Sequence, residues 1–225
     1  MELTKTNLTP EAVEFMNARL AESARLHDHL CPRQVLGVRM GMAAAHLLGL
    51  ELPQKDKRLH VFVETDGCAV DGIMVSTGCQ VGRRTMHVLD FGKVAATFAD
   101  RENGLALRLR PRPDLREAWA QYAPQAADRW HGYLQAYQVM PEAELFDLQR
   151  GRLTISLAEL ISQEGLRAVC ERCGEEVFNE REVHLAGSVL CRTCAGESYF
   201  EIGADPAQDF NPVVSSRRNG QQPRE

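Results

Sequence analysis

The sequence predicts an α+β core followed by a small four-cysteine zinc ribbon, and three observations carry that reading. Helix and strand signals mix along the first 165 residues without a regular βαβ repeat. Two CxxC pairs stand together near the C-terminus. The chain has 225 residues, 44% hydrophobic and 25% charged, which suffices for a sizeable core plus an appendage. The expected divisions are an α+β core over 1–165, a zinc ribbon over 166–203 and a polar tail over 204–225.

Thr9-Pro10-Glu11 supplies an N-cap, a proline at the first helical position and an acid in the first turn. Val13, Met16, Leu20 and Ala24 then recur at helical spacing, so residues 10 to about 27 read as an amphipathic helix. A second helix is expected from Pro32 to Leu48, with Cys31 at its N-cap and Gly49 as its stop. Gly37, Gly41 and Ala45 share one stripe of it and allow close approach of another backbone, within the chain or across a dimer.

Leu59, Val61 and Val63 alternate with His60, Phe62 and Glu64, a half-buried strand pattern. A turn at Thr65-Asp66-Gly67 leads into a short helix that ends near Gly78, with Asp66 as its expected N-cap. Strands are predicted at 86–90 and 94–99. Another carries Leu105, Leu107 and Leu109 on one side and Arg108 and Arg110 on the other. One long helix is expected after Pro113, bearing Trp119, Tyr122, Trp130 and Tyr133.

The strongest local signal is Cys170-Glu-Arg-Cys173 and Cys191-Arg-Thr-Cys194, separated by seventeen residues. Each CxxC turn aims two sulfurs at one point, and two such turns complete a tetrahedral zinc site with no open position. The expected role is structural, with His184 a surface residue. Residues 170–202 hold seven acids against three arginines, the wrong balance for neutralising phosphates, so nucleic acid is not the expected partner. The formal net charge of −5 points the same way. No run reaches membrane-span length, and the N-terminus lacks a basic stretch followed by an apolar one. A cytoplasmic, membrane-free protein is expected, and the seven cysteines then read as metal or thiol chemistry before disulfides.

The core carries a second constellation. His27-Asp28-His29-Leu30-Cys31-Pro32 places two imidazoles within four residues of a thiol at a helix start. Cys68 follows the same design, so His27, His29, Cys31 and Cys68 form a candidate transition-metal site of unknown metal identity. Its thiolates are favoured by the positive ends of the helix dipoles. Asp28, Asp66 and Asp71 are candidate orienting carboxylates, and Cys79 is a further candidate ligand. If the protein is an enzyme, Cys68 or Cys31 is the expected nucleophile and a histidine its base. Arg83, Arg84, Arg108 and Arg110 are candidate groups for an anionic ligand.

These segments, together with Asp66-Gly67-Cys68-Ala69-Val70-Asp71-Gly72-Ile73, Gly78-Cys79-Gln80-Val81-Gly82 and Asp90-Phe91-Gly92-Lys93, carry a family likeness. Over most of residues 20–200 the chain resembles the E-subunit family of formylmethanofuran dehydrogenase. The resemblance implies an α+β core that pairs as a homodimer, with a ribbon appended. Asp28 and Arg33 stand where the family pattern has glycines, and Arg83 and Arg84 depart from its usual lysine, glycine and asparagine. The leading functional expectation is a metal-binding protein that serves a metalloenzyme or metal-handling pathway. The alternatives are a thiol- or metal-dependent enzyme acting on a small anionic substrate, and a ribbon-mediated regulatory adaptor.

Overall fold

A computed structural model describes residues 2–157, 160 and 165–200. The expected polar tail over 204–225 lies outside the described residues. The chain divides into two compact units, residues 1–161 and 162–225.

The first unit is built on two capped helices. Helix α1 (Pro10–Leu26) starts where Thr9 accepts a hydrogen bond from the Ala12 N–H. Helix α2 (Pro32–Leu48) starts at Cys31 and ends at Gly49, whose left-handed backbone suits glycine. Thirteen of the seventeen α2 residues are buried, so α2 is the hub of the core and not a surface helix. Its buried Arg39 donates to the carbonyls of Tyr137 (2.9 Å), Gln138 (3.0 Å) and Met140 (2.7 Å). Burial lowers the Arg39 pKa to about 10, and the nearby Glu142 carboxylate works against that loss.

A five-stranded sheet packs beside these helices in the order β2-β1-β3-β4-β5. Its strands are β1 (Leu59–Val63), β2 (Met86–Val88), β3 (Ala96–Asp100), β4 (Ala106–Pro111) and β5 (Phe146–Gly151). Within this sheet only the β1–β2 pair is parallel. Helix α3 (Ala69–Thr77) makes the connection between them. The mixed pattern is α+β, as the sequence predicts.

Two local expectations are corrected. Strand β1 is buried along its whole length, not on one face. Phe62 joins Ala99, Ala106, Leu153 and Leu157 in a small second cluster, and the His87 ring stacks on Phe62 with centroids 4.6 Å apart. The expected long helix after Pro113 is instead α4 (Leu115–Tyr122) and α5 (Arg129–Val139). Pro124 cannot continue a helix, and Asp128 caps a new one by accepting from the His131 N–H at 2.9 Å. The two then fold together: a Cβ at Gly132 would fall 2.1 Å from the Trp119 ring. A short turn, α6 (Glu142–Leu145), leads into β5.

The second unit contains two hairpins, β6 (Arg167–Val169) with β7 (Glu176–Phe178), and β8 (Val183–Leu185) with β9 (Ser188–Leu190). One CxxC turn follows β6 and the other follows β9.

Candidate metal centres

The core site begins with three glycines. A Cβ at Gly37 would lie 2.1 Å from the Ala69 carbonyl oxygen, and one at Gly41 would lie 2.2 Å from Ser76 Oγ. From the other helix, a Cβ at Gly72 would lie 2.2 Å from the Gln34 carbonyl oxygen. The small-residue stripe of α2 is therefore filled by α3 of the same chain. Gly37 meets Ala69 and Ile73, and one turn on Gly41 meets Ser76 and Thr77, so the helices run parallel and their starts lie together. Each start carries a cysteine at the N-cap position, Cys31 for α2 and Cys68 for α3.

Helix α1 delivers the imidazole. His27 is its C-terminal cap. The His27 Nε2 lies 3.2 Å from Cys68 Sγ, while Nδ1 lies 3.3 Å from the Asp71 carboxylate. Asp71 is in the first turn of α3 and can hold the Nδ1 proton, which leaves Nε2 with a free lone pair facing the sulfur. Cys31 is close enough to Cys68 to share a hydrogen bond with it. Gln34 fixes the start of α2 by accepting from the Cys31 N–H at 2.7 Å and donating to the Ser23 carbonyl at 3.1 Å. The His29 ring packs at 4.9 Å from that of His27 and is exposed.

Several expected roles change. Cys68 itself occupies the N-cap position expected of Asp66, and Asp66 is exposed. Asp28 is exposed at φ 60°, a left-handed turn that a short polar residue tolerates. The Cys68 thiol pKa is raised, chiefly by burial and then by the Cys31 thiol, so these outweigh the dipole expected to favour the thiolate. Cys79 is buried beside the opposite end of α3 and donates to the Leu59 carbonyl at 3.3 Å.

The four candidate anion-binding arginines do not gather at this site. Arg83 donates to the carbonyls of Gly78 (3.3 Å) and Lys55 (2.6 Å), past the far end of α3. Arg84 follows it in a left-handed turn. Arg108 grips both oxygens of Glu64, and Arg110 pairs with Asp147 at 2.9 Å. Arg108 and Arg110 do border a shallow cavity with Lys93.

A feature that the sequence pattern does not announce opens directly on the cysteines. A cavity of about 550 Å³ is lined by Cys31 and Cys68 at one end, with Arg33, Arg116, Trp130 and Tyr137 among its walls. The break at Pro124 is the signal that could have revealed it, because the turn brings α5 back beside the start of α2.

The second centre is compact. The Sγ atoms of Cys170, Cys173, Cys191 and Cys194 all lie within 4.8 Å of one another. Among the described residues this is the only group of three or more His, Cys or acidic side chains that converges so closely. The turns are held by backbone bonds from the Gly174 N–H to the Cys170 carbonyl (2.8 Å) and from the Ala195 N–H to the Cys191 carbonyl (2.9 Å). Backbone N–H groups of Cys191 and Cys173 lower the Cys170 pKa to about 6, whereas the neighbouring sulfur of Cys191 and then burial raise that of Cys194 to about 12. Four sulfurs this close cannot all ionise unless a cation joins them. The donor set fits a zinc ion with no free position. His184 stays on the surface.

Comparison with known proteins agrees with both units. Residues 26–147 match the family model described as FmdE, Molybdenum formylmethanofuran dehydrogenase operon. The chain belongs to the FmdE family. Residues 165–200 match the prokaryotic dksA/traR C4-type zinc finger, so the C-terminal unit is a C4 zinc finger. A structural neighbour is an FmdE-like protein of tungsten formylmethanofuran dehydrogenase type from Syntrophus aciditrophicus, with TM-score 0.57 and 18% identity. That match covers 88% of this chain and 100% of the other. A probable S-adenosyl-L-methionine-binding protein of Archaeoglobus fulgidus is 27% identical over 207 residues, covering 82% of this chain. The chain spans about half (54%) of the length of that relative. The FmdE match begins at the His27 end of α1 and closes in β5, so it takes in every residue of the core cysteine site. Asp28, where the resemblance implies a glycine, has the positive φ that glycine adopts most readily. No helix among the described residues is long and apolar enough to cross a membrane.

Proposed function

We propose that the FmdE core binds a transition-metal ion through Cys31, Cys68 and His27, and that the C4 finger holds a structural zinc through its four cysteines. The observation that carries the core reading is the arrangement at His27, with Nε2 3.2 Å from the Cys68 sulfur and Nδ1 held by Asp71. Carboxylate to imidazole to metal is the usual way a ligating histidine is oriented. His29 is near enough to join on metal binding. Two thiols and one or two imidazoles suit zinc, copper or nickel, and three protein ligands leave a position open toward the cavity. On this reading the protein handles or serves a metal centre, in the cytoplasm, as a homodimer or beside a metalloenzyme partner.

A second reading uses the same geometry. Cys68, His27 and Asp71 also form a nucleophile, base and orienter in order. The second thiol at Cys31 favours metal, because it adds a ligand and has no task in that triad. A third reading, in which the acidic finger is a regulatory adaptor, draws on its charge alone. The name of the Archaeoglobus relative suggests S-adenosyl-L-methionine as an occupant of the cavity, but its sulfonium would meet the guanidinium groups of Arg33 and Arg116.

Metal analysis of purified protein tests the reading. The expected content exceeds one equivalent per chain, and Cys31→Ser and Cys68→Ser each remove the second metal and leave the first. Cobalt reconstitution should give a stronger sulfur-to-cobalt charge-transfer band in wild type than in Cys68→Ser, whose remaining band comes from the finger. A content of one, unchanged in both variants and abolished by Cys170→Ser, would remove the core site from the account.

A further inference from the structure

We infer that the cavity beside Cys31 and Cys68 is a binding site for a small organic anion that carries a flat ring, such as an aromatic or heteroaromatic carboxylate or phosphate.

Size and walls set the class. About 550 Å³ is in the range of cavities that enclose a molecule of one or two rings. Leu36, Val94, Pro111 and Leu115 supply an apolar floor, and Trp130, Tyr133 and Tyr137 supply aromatic surface. The rings of Tyr133 and Tyr137 are stacked with centroids 5.6 Å apart and planes 12° from parallel. Such a wall favours a planar guest in offset contact over a branched aliphatic one.

Charge sets the sign. The lining holds Arg33, Arg112 and Arg116 and no carboxylate, and Arg112 is committed to Asp114 through two hydrogen bonds of 3.0 Å. Arg33 and Arg116 have no ion pair or hydrogen bond among the described residues, and both are exposed at the cavity. The starts of two parallel helices add their positive ends at Cys31 and Cys68. An anion entering here meets two guanidinium groups that it need not take from another partner.

A hydrogen-bonding group at the cavity wall adds to the charges. Tyr137 is 4% exposed, yet its hydroxyl makes no hydrogen bond among the described residues. That oxygen is not sealed in the protein, because Tyr137 lines the cavity. Burial and the neighbouring Tyr133 raise its pKa to about 12, so it remains a donor at neutral pH. A hydroxyl that opens on the cavity without a protein partner can donate to a guest bound there. Arg39 holds the end of α5 through three carbonyls and so fixes where Tyr137 stands.

The inference deepens the metal reading, since a guest in this cavity would present its far end to the open position at Cys31 and Cys68. Its binding does not require the metal, which keeps the two claims separable. The probe is anilinonaphthalene sulfonate, a flat anionic dye, with uncharged phenylnaphthylamine as its control. Full-length protein is titrated by dye fluorescence and calorimetry.

Wild type is expected to bind one sulfonate dye per chain and to prefer it to the neutral dye. The double substitution Arg33→Gln with Arg116→Gln should weaken the sulfonate by about tenfold or more and the neutral dye by less than about twofold. Tyr137→Phe, which keeps the ring and the fold, should weaken the sulfonate several-fold. Equal affinity for the two dyes, or an unaltered affinity in the double variant, would overturn the inference. The titration is repeated in Cys31→Ser protein. Retained sulfonate binding there with no second metal in wild type would separate a correct cavity assignment from a failed metal reading. The opposite pattern would do the reverse.

Discussion

In the C4 finger, four sulfurs between residues 170 and 194 come from two CxxC turns, each shaped by its own backbone bonds, and they close to within 4.8 Å of one another. In the FmdE core, Cys68 and His27 are forty-one residues apart and meet because glycines let α2 and α3 pack in parallel. The finger has almost no other core: Cys170 and Leu190 are its only buried apolar side chains among the described residues. The first unit has a broad apolar core built from its own helices and sheet. One cluster is therefore the reason its domain folds, and the other is a consequence of a domain already folded. That difference separates the structural zinc site of the finger from the site proposed in the core.

The largest test of this contrast is metal removal from the finger. A structural zinc contributes about 10 kcal/mol or more to a module that cannot fold alone. Chelation, or Cys170→Ser, should expose residues 166–200 to proteolysis while the core keeps its melting transition. A chelated chain whose core and finger melt together would mean that the two units are not energetically separate.

How much of this is legible in the sequence follows from the same contrast. The CxxC pairs constrain geometry locally, so their convergence can be read directly. Pro10, Pro32 and Gly49 mark helix ends through backbone rules that need no tertiary context, and these ends fall where expected. The helix-start placement of Cys31 is legible for that reason. The choice between an intrachain and a dimer role for Gly37 and Gly41 is not, because it depends on which surface arrives opposite them. Alternation marks β1 as half-buried, but its second face is covered by His87 and by Leu153 and Leu157. Charge alone suggests four anion-binding arginines. Partners distant in sequence, Glu64 for Arg108 and Asp147 for Arg110, claim two of them, while nothing local singles out Arg33 and Arg116.

A smaller effect tests the helix pair in the core. Gly72→Ala puts a methyl group against the Gln34 backbone, the residue that fixes the start of α2. The helices must separate, at a cost of roughly 3 kcal/mol. The core melt should drop accordingly, and any metal held at Cys31 and Cys68 should be lost with it. Gly82→Ala is the control, since nothing lies within 4 Å of its added Cβ. A stable Gly72→Ala protein with both metals intact would show that the close approach of α2 and α3 does not build the site.

The smallest effect concerns acid, and it divides the core from the finger once more. His60 is fully buried on β1, and its Nδ1 has no partner among the described residues. Burial, with the neighbouring His87, lowers its pKa from 6.5 to about 4. On acidification the unfolded chain takes up this proton first, so core stability falls from pH 6.5 down to about 4. Asp100 and Glu64 add a lower stage. Hydrogen bonds from Arg58 and Arg108 depress their pKa values, so the stability they contribute is present above the ordinary carboxylate range and is lost as pH falls through the depressed values. Both tryptophans, Trp119 and Trp130, lie in the first unit, so urea unfolding followed by their emission reports this unit alone. His60→Gln should reduce the upper stage, leaving the share of His87, whose pKa burial also lowers, and should leave the lower stage intact. An unchanged pH profile in that variant would assign the upper stage to another group and leave His60 a passive part of the sheet.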